Sequence, residues 1–113
     1  MPRNMSFSLT TPQVKAGTKD VTRRLGWWNL RPGQILNAVE KGRGLKKGEK
    51  IKVIRQIFVV SAWAEPLWSI NGCDIIREGF PKMTPFAFIG MFKKANRCAA
   101  CVTVNRIEFG YVE

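Results

Sequence analysis

The stretch over residues 50–64 constrains the fold most, because it is long, largely apolar and rich in β-branched side chains. Such side chains favour an extended backbone, so we predict one long β-strand here. The apolar positions change phase near Ile54, which indicates a bend or a β-bulge. Bent strands of this kind are typical of small β-barrels, and a barrel is therefore our first expectation for the fold.

The length of the chain limits it to a single domain. Its 113 residues leave room for one core, and a hydrophobic content of 45% is enough to build that core. No repeat, linker or change of composition divides the sequence, so we predict one domain over residues 1–113. No apolar run is long enough to span a membrane, and the N-terminus lacks the apolar run of a signal peptide. We expect a monomeric, cytoplasmic protein.

Short helices are expected around the sheet. Thr84-Pro85 is typical of a helix N-cap followed by proline at the first helical position. Four apolar residues then recur at helical spacing, and we expect them to pack in the core: Phe88, Met91, Phe92 and Ala95. The chain ends in a strand over residues 102–112, whose change of phase at Asn105-Arg106 predicts a break. The expected fold is mainly β with short helices, an α+β barrel with two or three helices on its rim.

Histidine is absent from the chain, which excludes the usual catalytic triads. The three cysteines, Cys73, Cys98 and Cys101, are too few and odd in number for a disulfide framework. Cys98 and Cys101 form a C-x-x-C pair, but a tetrahedral zinc site needs about four nitrogen or sulfur ligands. We therefore predict no metal and no cofactor. Any chemistry must use Lys, Thr, Glu, Asp, Tyr or Cys side chains.

The formal net charge of +11 is high for so short a chain. Thirteen of the 19 lysines and arginines lie in residues 1–64 beside only three acids, so this half carries +10. The other six cations stand against five acids in residues 65–113, which leaves +1. A one-sided positive field attracts polyanions, and we favour phosphate contact over a surface charged only for solubility. The expected partner is RNA, a nucleoside or a nucleotide.

The densest cluster of functional side chains lies in residues 17–24. If Lys19 and Thr22 meet, partial burial and the neighbouring arginines would lower the pKa of the lysine, and its neutral amine could activate the threonine hydroxyl. In an extended strand the two residues point to opposite faces, so a turn or bulge is required. The alternative is that Lys19, Arg23 and Arg24 bind phosphate and Thr22 is only a strand residue.

Four side chains are expected to bind phosphate: Arg23, Arg24, Lys46 and Lys47. The arginines offer a permanent charge and a planar fork, and the lysines lie in a glycine-rich basic loop over residues 42–49. That loop is alternatively a charged hairpin tip.

Trp27 and Trp28 face opposite ways in an extended segment, so we expect one to pack in the core and the other to stack a base. We assign base stacking to Trp27.

Gly17, Lys19, Thr22 and Arg24 match the G-x-K-x-x-T-x-R pattern of the ASCH domains, a branch of the PUA-like superfamily. The order of the predicted elements also resembles theirs, and the resemblance covers nearly the whole chain. Further segments resemble small ASCH proteins of phages and prophages: Thr22–Trp28, Gly44–Glu49, Glu78–Pro81 and Met83–Pro85. The resemblance implies a compact β-barrel whose cleft presents the motif to RNA or to a nucleoside.

Some ASCH relatives are amidohydrolases that release acetate from N4-acetylcytidine with a lysine, a threonine and a glutamate. The resemblance places the lysine on Lys19 and the threonine on Thr22. The glutamate falls on Glu78, which precedes Met83-Thr84 as the family glutamate precedes its own Met-Thr pair, although the gap is longer here. In this interpretation Lys19 is the base, Thr22 is the nucleophile, and Glu78 holds the substrate amine and donates a proton to it. From the residues alone, Glu78 is as readily a solvated helix end.

Two other functions remain open, because ASCH proteins are also reported as RNA-binding modules and as ribonucleases. A non-catalytic module would use the basic N-terminal half, and a ribonuclease would use Lys19 and Arg24 to stabilise its transition state. Both need a polymer and should weaken steeply with salt, whereas an amidohydrolase should act on a free nucleoside. The sequence therefore predicts a domain that recognises RNA or a modified nucleoside.

Overall fold

The computed structural model describes residues 2–42 and 45–113 of the chain. Its strands, numbered along the chain, are β1 (Arg3–Ser6), β2 (Val21–Arg24), β3 (Ile35–Val39), β4 (Val53–Pro66) and β5 (Thr103–Tyr111). They form one sheet in the order β1-β3-β4-β5-β2. β1 pairs with β3 in parallel, and the other neighbouring strands are antiparallel. The first two strands of the chain therefore lie at opposite edges of the sheet.

Three short helices accompany the sheet among the described residues: α1 (Thr11–Ala16), α2 (Gly72–Arg77) and α3 (Pro85–Asn96). A 3-10 turn at Leu67–Ser69 leads from β4 toward α2. The predicted α+β class with two or three short helices is confirmed. None of the helices in the described part of the chain has the length and apolar character needed to cross a membrane.

The two edges of the sheet approach each other without strand pairing. The hydrogen-bonded order begins at β1 and ends at β2, so the sheet is open where a barrel would close. One side chain bridges the opening, because the Arg24 guanidinium donates to the backbone carbonyl of Ser6. The predicted barrel thus corresponds to a curved five-stranded sheet, and the functional side chains described below lie at its open seam.

The long strand β4 contains two bulges. Between β3 and β4 the register skips Ile54, which confirms the irregularity predicted from the change of apolar phase. Between β4 and β5 the register skips Val60 in the same way. Because an extra residue bends its strand, the bulges allow β4 to pair with both neighbours along a curved path.

The predicted break at Asn105-Arg106 is wrong, because β5 runs without interruption from Thr103 to Tyr111. The apolar phase changes for another reason: both faces of the strand are covered. Val104 packs in a cluster with α3, whereas Ile107 packs on the opposite face with residues of β1 and β3. Successive strand residues alternate between faces, so a strand buried on both sides has apolar residues in both phases.

Most of the buried apolar side chains form two clusters, one on each side of the sheet. The first contains Met5, Phe7, Val14, Leu36, Ala38, Ile57, Val59, Ile107 and Phe109. The second lies with α2 and α3 and contains Leu67, Ile70, Ile75, Phe88, Phe92 and Val104. Phe7 of the first cluster and Phe88 of the second both reach the pocket described below, which therefore lies where the clusters meet.

The start of α3 follows its sequence signal. The hydroxyl of Thr84 accepts from the backbone N–H of Ala87 at 3.1 Å, which confirms the predicted N-cap of α3. Gly17 ends α1 with a positive φ of 75°, a conformation that glycine adopts without steric cost. This left-handed turn directs the chain out of the helix and into the segment that carries Lys19.

Candidate functional site

A pocket with a volume of about 230 Å³ lies at the open seam of the sheet. Five of the predicted site residues line it: Lys19, Thr22, Arg23, Arg24 and Glu78. Apolar side chains line the rest of the pocket: Phe7, Phe80, Phe88, Met91, Phe92 and Ala95. A concave site with a large apolar wall and a few convergent polar groups is the usual form of a small-molecule site.

Lys19 lies in the connection between α1 and β2, and its backbone is held from two sides. The Tyr111 hydroxyl donates to the carbonyl of Lys19. The next residue, Asp20, donates its backbone N–H to the carbonyl of Arg77 at 2.9 Å and accepts from the N–H of Phe109 at 2.9 Å. Because β2 begins only at Val21, strand alternation does not separate Lys19 from Thr22. Both side chains line the pocket.

Glu78 is the buried partner of Lys19. The Lys19 amine, Nζ, donates to Oε1 of Glu78 at 2.8 Å and to the backbone carbonyl of the same residue at 2.9 Å. Each residue is only 2% exposed. Burial lowers the pKa of the Lys19 amine, since desolvation disfavours the ammonium form, and the Glu78 carboxylate opposes that effect. The pair joins two pocket residues that are distant in sequence.

The end of α2 explains why the side chain of Glu78 points inward. Glu78 is the C-cap residue, and its backbone N–H donates to the carbonyl of Asp74 at 2.7 Å. Gly79 follows with a positive φ of 100° and turns the chain sharply. Gly79 is also tightly packed, because a Cβ built on it would lie 2.9 Å from Cγ of Gln13. The glutamate is thus part of the pocket and not a solvated helix end.

Thr22 and Arg24 form the second polar pair of the pocket. Nε of Arg24 donates to the Thr22 hydroxyl oxygen at 3.2 Å. The Arg24 guanidinium also lies over the ring of Phe7, 4.7 Å from its centroid. Burial lowers the pKa of Arg24 to about 10, against the raising effect of Glu78. Arg24 therefore remains a cation at neutral pH and holds a positive charge beside the hydroxyl.

Arg23 is surrounded by carboxylates. Its guanidinium donates to Oε2 of Glu78 at 3.1 Å and to Oδ2 of Asp74. A carboxylate oxygen of Glu65 lies 3.6 Å away. The side chain of Arg23 is only 1% exposed, and its contacts are with carboxylates. The predicted contact of Arg23 with phosphate stays a prediction.

Trp27 lies outside the pocket lining. It packs against the first core cluster, and the guanidinium of Arg3 covers its ring at 4.2 Å from the centroid. Its carbonyl accepts from the side-chain amide of Asn105 at 2.7 Å. The adjacent Trp28 is 54% exposed, so Trp28 is the one of the pair that has a free ring surface.

Lys46 and Lys47 lie in the connection between β3 and β4, away from the pocket lining. Both are exposed, and the turn is held by the Glu49 carboxylate, which accepts from the backbone N–H of Lys46 at 2.9 Å. Arg43 and Gly44 of the predicted basic loop lie outside the described residues.

The cysteines are free thiols, with Cys73 and Cys101 exposed and Cys98 half-buried. No group of three or more potential metal ligands occurs among the residues that the structure describes.

Several pocket residues carry no sequence signal for a site. The stripe on α3 was expected only to pack in the core, yet all four of its members line the pocket, and Phe88 and Phe92 are buried as well. Behind the pocket lining, Asp74 binds Arg23 and Arg106 binds Asp74, and these two residues lie in unrelated parts of the sequence. A buried pair of arginines needs acids nearby, and the acids of the C-terminal half were the signal that could have found Asp74.

Comparison with known proteins identifies the fold. No family model matches the sequence, and no curated protein is significantly similar to it. The match to the crystal structure of an ASCH domain from Lactobacillus crispatus has a TM-score of 0.62 at 13% identity and covers 96% of this chain and 78% of that chain. A protein from Enterococcus faecalis, of family DUF984, matches with a TM-score of 0.65 at 14% identity and covers 99% of this chain and 80% of that chain.

The chain therefore has an ASCH-type fold, as the resemblance in sequence predicted. Sequence identities of 13% and 14% establish the fold alone. The closeness to proteins of phages, the substrate and the roles of the pocket residues stay predictions.

Proposed function

We propose that this ASCH-type domain binds a modified nucleoside in its pocket and hydrolyses the amide of an N4-acylated cytosine. One observation carries the proposal: Lys19, Thr22 and Glu78 all line a single pocket of about 230 Å³. The apolar part of the lining suits the face of a base and its acyl group, and the polar part suits the amide.

The first step of the proposed reaction forms an acyl-threonine. Lys19 accepts the proton of the Thr22 hydroxyl while the hydroxyl oxygen attacks the acyl carbon. Burial supports this role, because it lowers the pKa of the Lys19 amine and raises its neutral fraction. Arg24 supports it too, since its Nε–H already donates to the Thr22 oxygen at 3.2 Å and would stabilise the developing alkoxide.

Collapse of the tetrahedral intermediate breaks the bond between the acyl carbon and N4. The leaving nitrogen needs a proton, and the path for it is short, since Lys19 and Glu78 are in contact at 2.8 Å. Lys19 passes the proton taken from Thr22 to Glu78, and Glu78 passes it to N4, which releases cytidine. Water then attacks the acyl-threonine, gives its proton to Lys19 and releases the acid, and the threonine oxygen recovers its proton from Lys19.

The test is a chromatographic assay of cytidine released from N4-acetylcytidine. Wild-type protein should release cytidine, and Lys19→Met should lower kcat about 10²–10⁴-fold, the usual contribution of a general base. Thr22→Val removes the nucleophile and should abolish turnover, whereas the matched variant Thr22→Ser keeps a hydroxyl and should retain activity. The proposal is wrong if wild type releases no cytidine or if Thr22→Val turns over as fast as wild type.

A second candidate function, non-catalytic RNA binding, is favoured by the position of the basic connection between β3 and β4. The N–H of Phe7, a pocket residue, donates to the carbonyl of Val39 at 2.9 Å, so the connection leaves the sheet beside the pocket wall. Its exposed lysines could contact the backbone of a polymer whose base enters the pocket. Wild type that shifts labelled RNA at low salt but releases no cytidine would support this function over the first.

A further inference from the structure

A chain of buried ion pairs extends from the pocket to β5. It begins at Glu78, whose Oε2 accepts from Arg23 at 3.1 Å, and continues with the bond from Arg23 to Asp74. It ends at Arg106, which binds both carboxylate oxygens of Asp74. Nε of Arg106 donates to Oδ2 at 2.7 Å, and a terminal nitrogen donates to Oδ1 at 2.9 Å. Asp74 is not part of the pocket lining.

We propose that Asp74 is a positioning residue, which orients Glu78 toward Lys19 by fixing the guanidinium of Arg23. This inference rests on the proposed function for its effect on catalysis. The orientation of Glu78 by Asp74 and Arg23 is argued from contacts within the protein alone, so it can be tested without substrate.

The orientation of Glu78 needs two anchors. The terminal torsion of a glutamate is soft, so a single contact leaves the carboxylate plane free to turn. Here Lys19 binds Oε1 and Arg23 binds Oε2, which fixes the plane and aims one oxygen at the lysine amine. Arg23 can act as an anchor only if its own fork is fixed, and Asp74 provides that fixed point.

Asp74 is itself held by two further residues, Arg106 and Asn71. Arg106 binds it in a fork, and bidentate arginine–carboxylate contacts have a strong directional preference. Its backbone N–H donates to the side chain of Asn71, the N-cap of α2, at 2.9 Å. Because Glu78 is the C-cap residue of α2, the same short helix positions Asp74 and Glu78, four residues apart.

The charged side chains of this region come from several elements and number four cations and three acids. They are Lys19, Arg23, Arg24, Glu65, Asp74, Glu78 and Arg106, of which Arg23, Arg24 and Glu78 act on the charge of Lys19. Among the described residues, Nε of Arg23 and one terminal nitrogen of Arg106 are buried without a hydrogen-bond partner. Acceptors are therefore in short supply, and loss of the Asp74 charge would remove one of the three carboxylates that offset the charge of Arg23 beside Lys19.

The test compares Asp74→Asn with the control Asp20→Asn. Asp20 is also held by an arginine fork, from Arg77 at 3.0 and 3.2 Å, but its side chain is 45% exposed and does not line the pocket. The first readout is the titration of the Lys19 side chain by NMR in the free protein. Asp74→Asn should move that titration to lower pH, because the positive charge of Arg23 is then offset by one carboxylate fewer, and Asp20→Asn should leave it nearly in place.

The second readout is turnover of N4-acetylcytidine. Asp74→Asn should lower kcat about 10–100-fold with little change in KM, the usual size of effect for a residue that orients a functional group. If Asp74→Asn does not fold, Arg106→Lys replaces it, since that variant keeps the charge but breaks the fork. Its Lys19 titration should move in the same direction by a smaller amount.

The outcomes separate this inference from the proposed function. A Lys19 titration that is unchanged in folded Asp74→Asn, or that moves equally in Asp20→Asn, overturns the positioning role whatever the activity. Absence of turnover in wild type, together with a titration that moves only in Asp74→Asn, overturns the amidohydrolase and retains the geometric inference.

Discussion

At the scale of single residues, the pocket depends on charges that are buried far more deeply than usual. Lys19 and Glu78 are 2% exposed and Arg23 is 4% exposed. A buried charge is tolerated only when it has a partner in good geometry, and the removal of one partner leaves the others uncompensated. The same contacts that shape the site therefore contribute to the stability of the fold.

Glu78→Gln should destabilise the protein by about 3–5 kcal/mol, because it leaves Lys19 and Arg23 buried without their shared carboxylate. Urea unfolding followed by circular dichroism measures this. The control is Glu40→Gln, which removes a surface contact of 3.6 Å with Lys15 and should cost less than about 1 kcal/mol. Equal effects of the two variants would contradict the role of Glu78 as a buried counter-ion.

The stability of the protein should depend on Asp74 at acid pH. Hydrogen bonds from Arg106 hold the pKa of Asp74 well below its ordinary value of 3.8, and Arg23 acts in the same direction. A depressed carboxyl pKa stabilises the folded state above the unfolded-state pKa, and this contribution is lost as the pH falls toward the folded-state pKa.

The free energy of unfolding of wild type should therefore fall steeply between about pH 4 and pH 2, and that of Asp74→Asn should fall less. Urea titrations at stepped pH give both curves. Parallel curves would show that Asp74 has the same proton affinity in the folded and unfolded states.

The residues of the local motif could be predicted from the sequence, and their partners could not. Lys19, Thr22 and Arg24 lie within one short segment, so a spacing pattern was enough to select them. Asp74 and Arg106 reach the site only through tertiary structure, and no spacing rule links them to the motif. Trp27 and Trp28 show the same limit, since Trp27 adopts a positive φ of 60° that alternation along an extended segment does not predict.

At the scale of elements, the turn that follows α2 helps to direct the side chain of Glu78 into the pocket. Gly79 lets the chain turn directly after Glu78, and the turn packs against Gln13 of α1. The sequence predicted the bulge at Ile54 because a change of phase in one strand is a local signal. The same signal in β5 was misleading, since there it came from packing on both faces and not from a change in the backbone.

Gly79→Ala should destabilise the protein more than Gly33→Ala. Both glycines have a positive φ, 100° and 87°, which costs about 1–2 kcal/mol for alanine. Only Gly79 has close neighbours, because its Cβ would lie 2.9 Å from Cγ of Gln13, whereas nothing lies within 4 Å at Gly33. Thermal unfolding of the two variants measures the difference, and equal melting temperatures would mean that the contact relaxes without cost.

At the scale of the whole molecule, the uneven charge is the most prominent feature. Residues 1–64 contain thirteen cations and three acids, while the remaining residues are nearly balanced. Some of these cations form buried ion pairs with carboxylates, among them Lys19 and Arg23. The exposed lysines of the connection between β3 and β4 remain in contact with solvent, so any polyanion contact of this half should depend strongly on salt.

Replacement of Lys46 and Lys47 by glutamine should flatten the salt dependence of RNA binding. If each contacts one phosphate, the slope of log Kd against log salt should fall by about 1.4 for single-stranded RNA. Lys93→Gln/Lys94→Gln, on the exposed face of α3, removes the same charge and is the control. Fluorescence anisotropy at several salt concentrations gives the slopes, and equal slopes for both double variants would place the contact elsewhere.

The position of β2 at the edge beside β5 has a consequence for how the site assembles. Thr22 is paired with Ile107 and Arg24 with Asn105, and Tyr111 secures the carbonyl of Lys19. The motif is therefore synthesised before β5 and has no partner strand until β5 has followed it. Pairing over so long a separation is slow, because loop closure precedes the favourable contacts. The nascent chain must keep its basic segment soluble until the final strand arrives and forms the pocket.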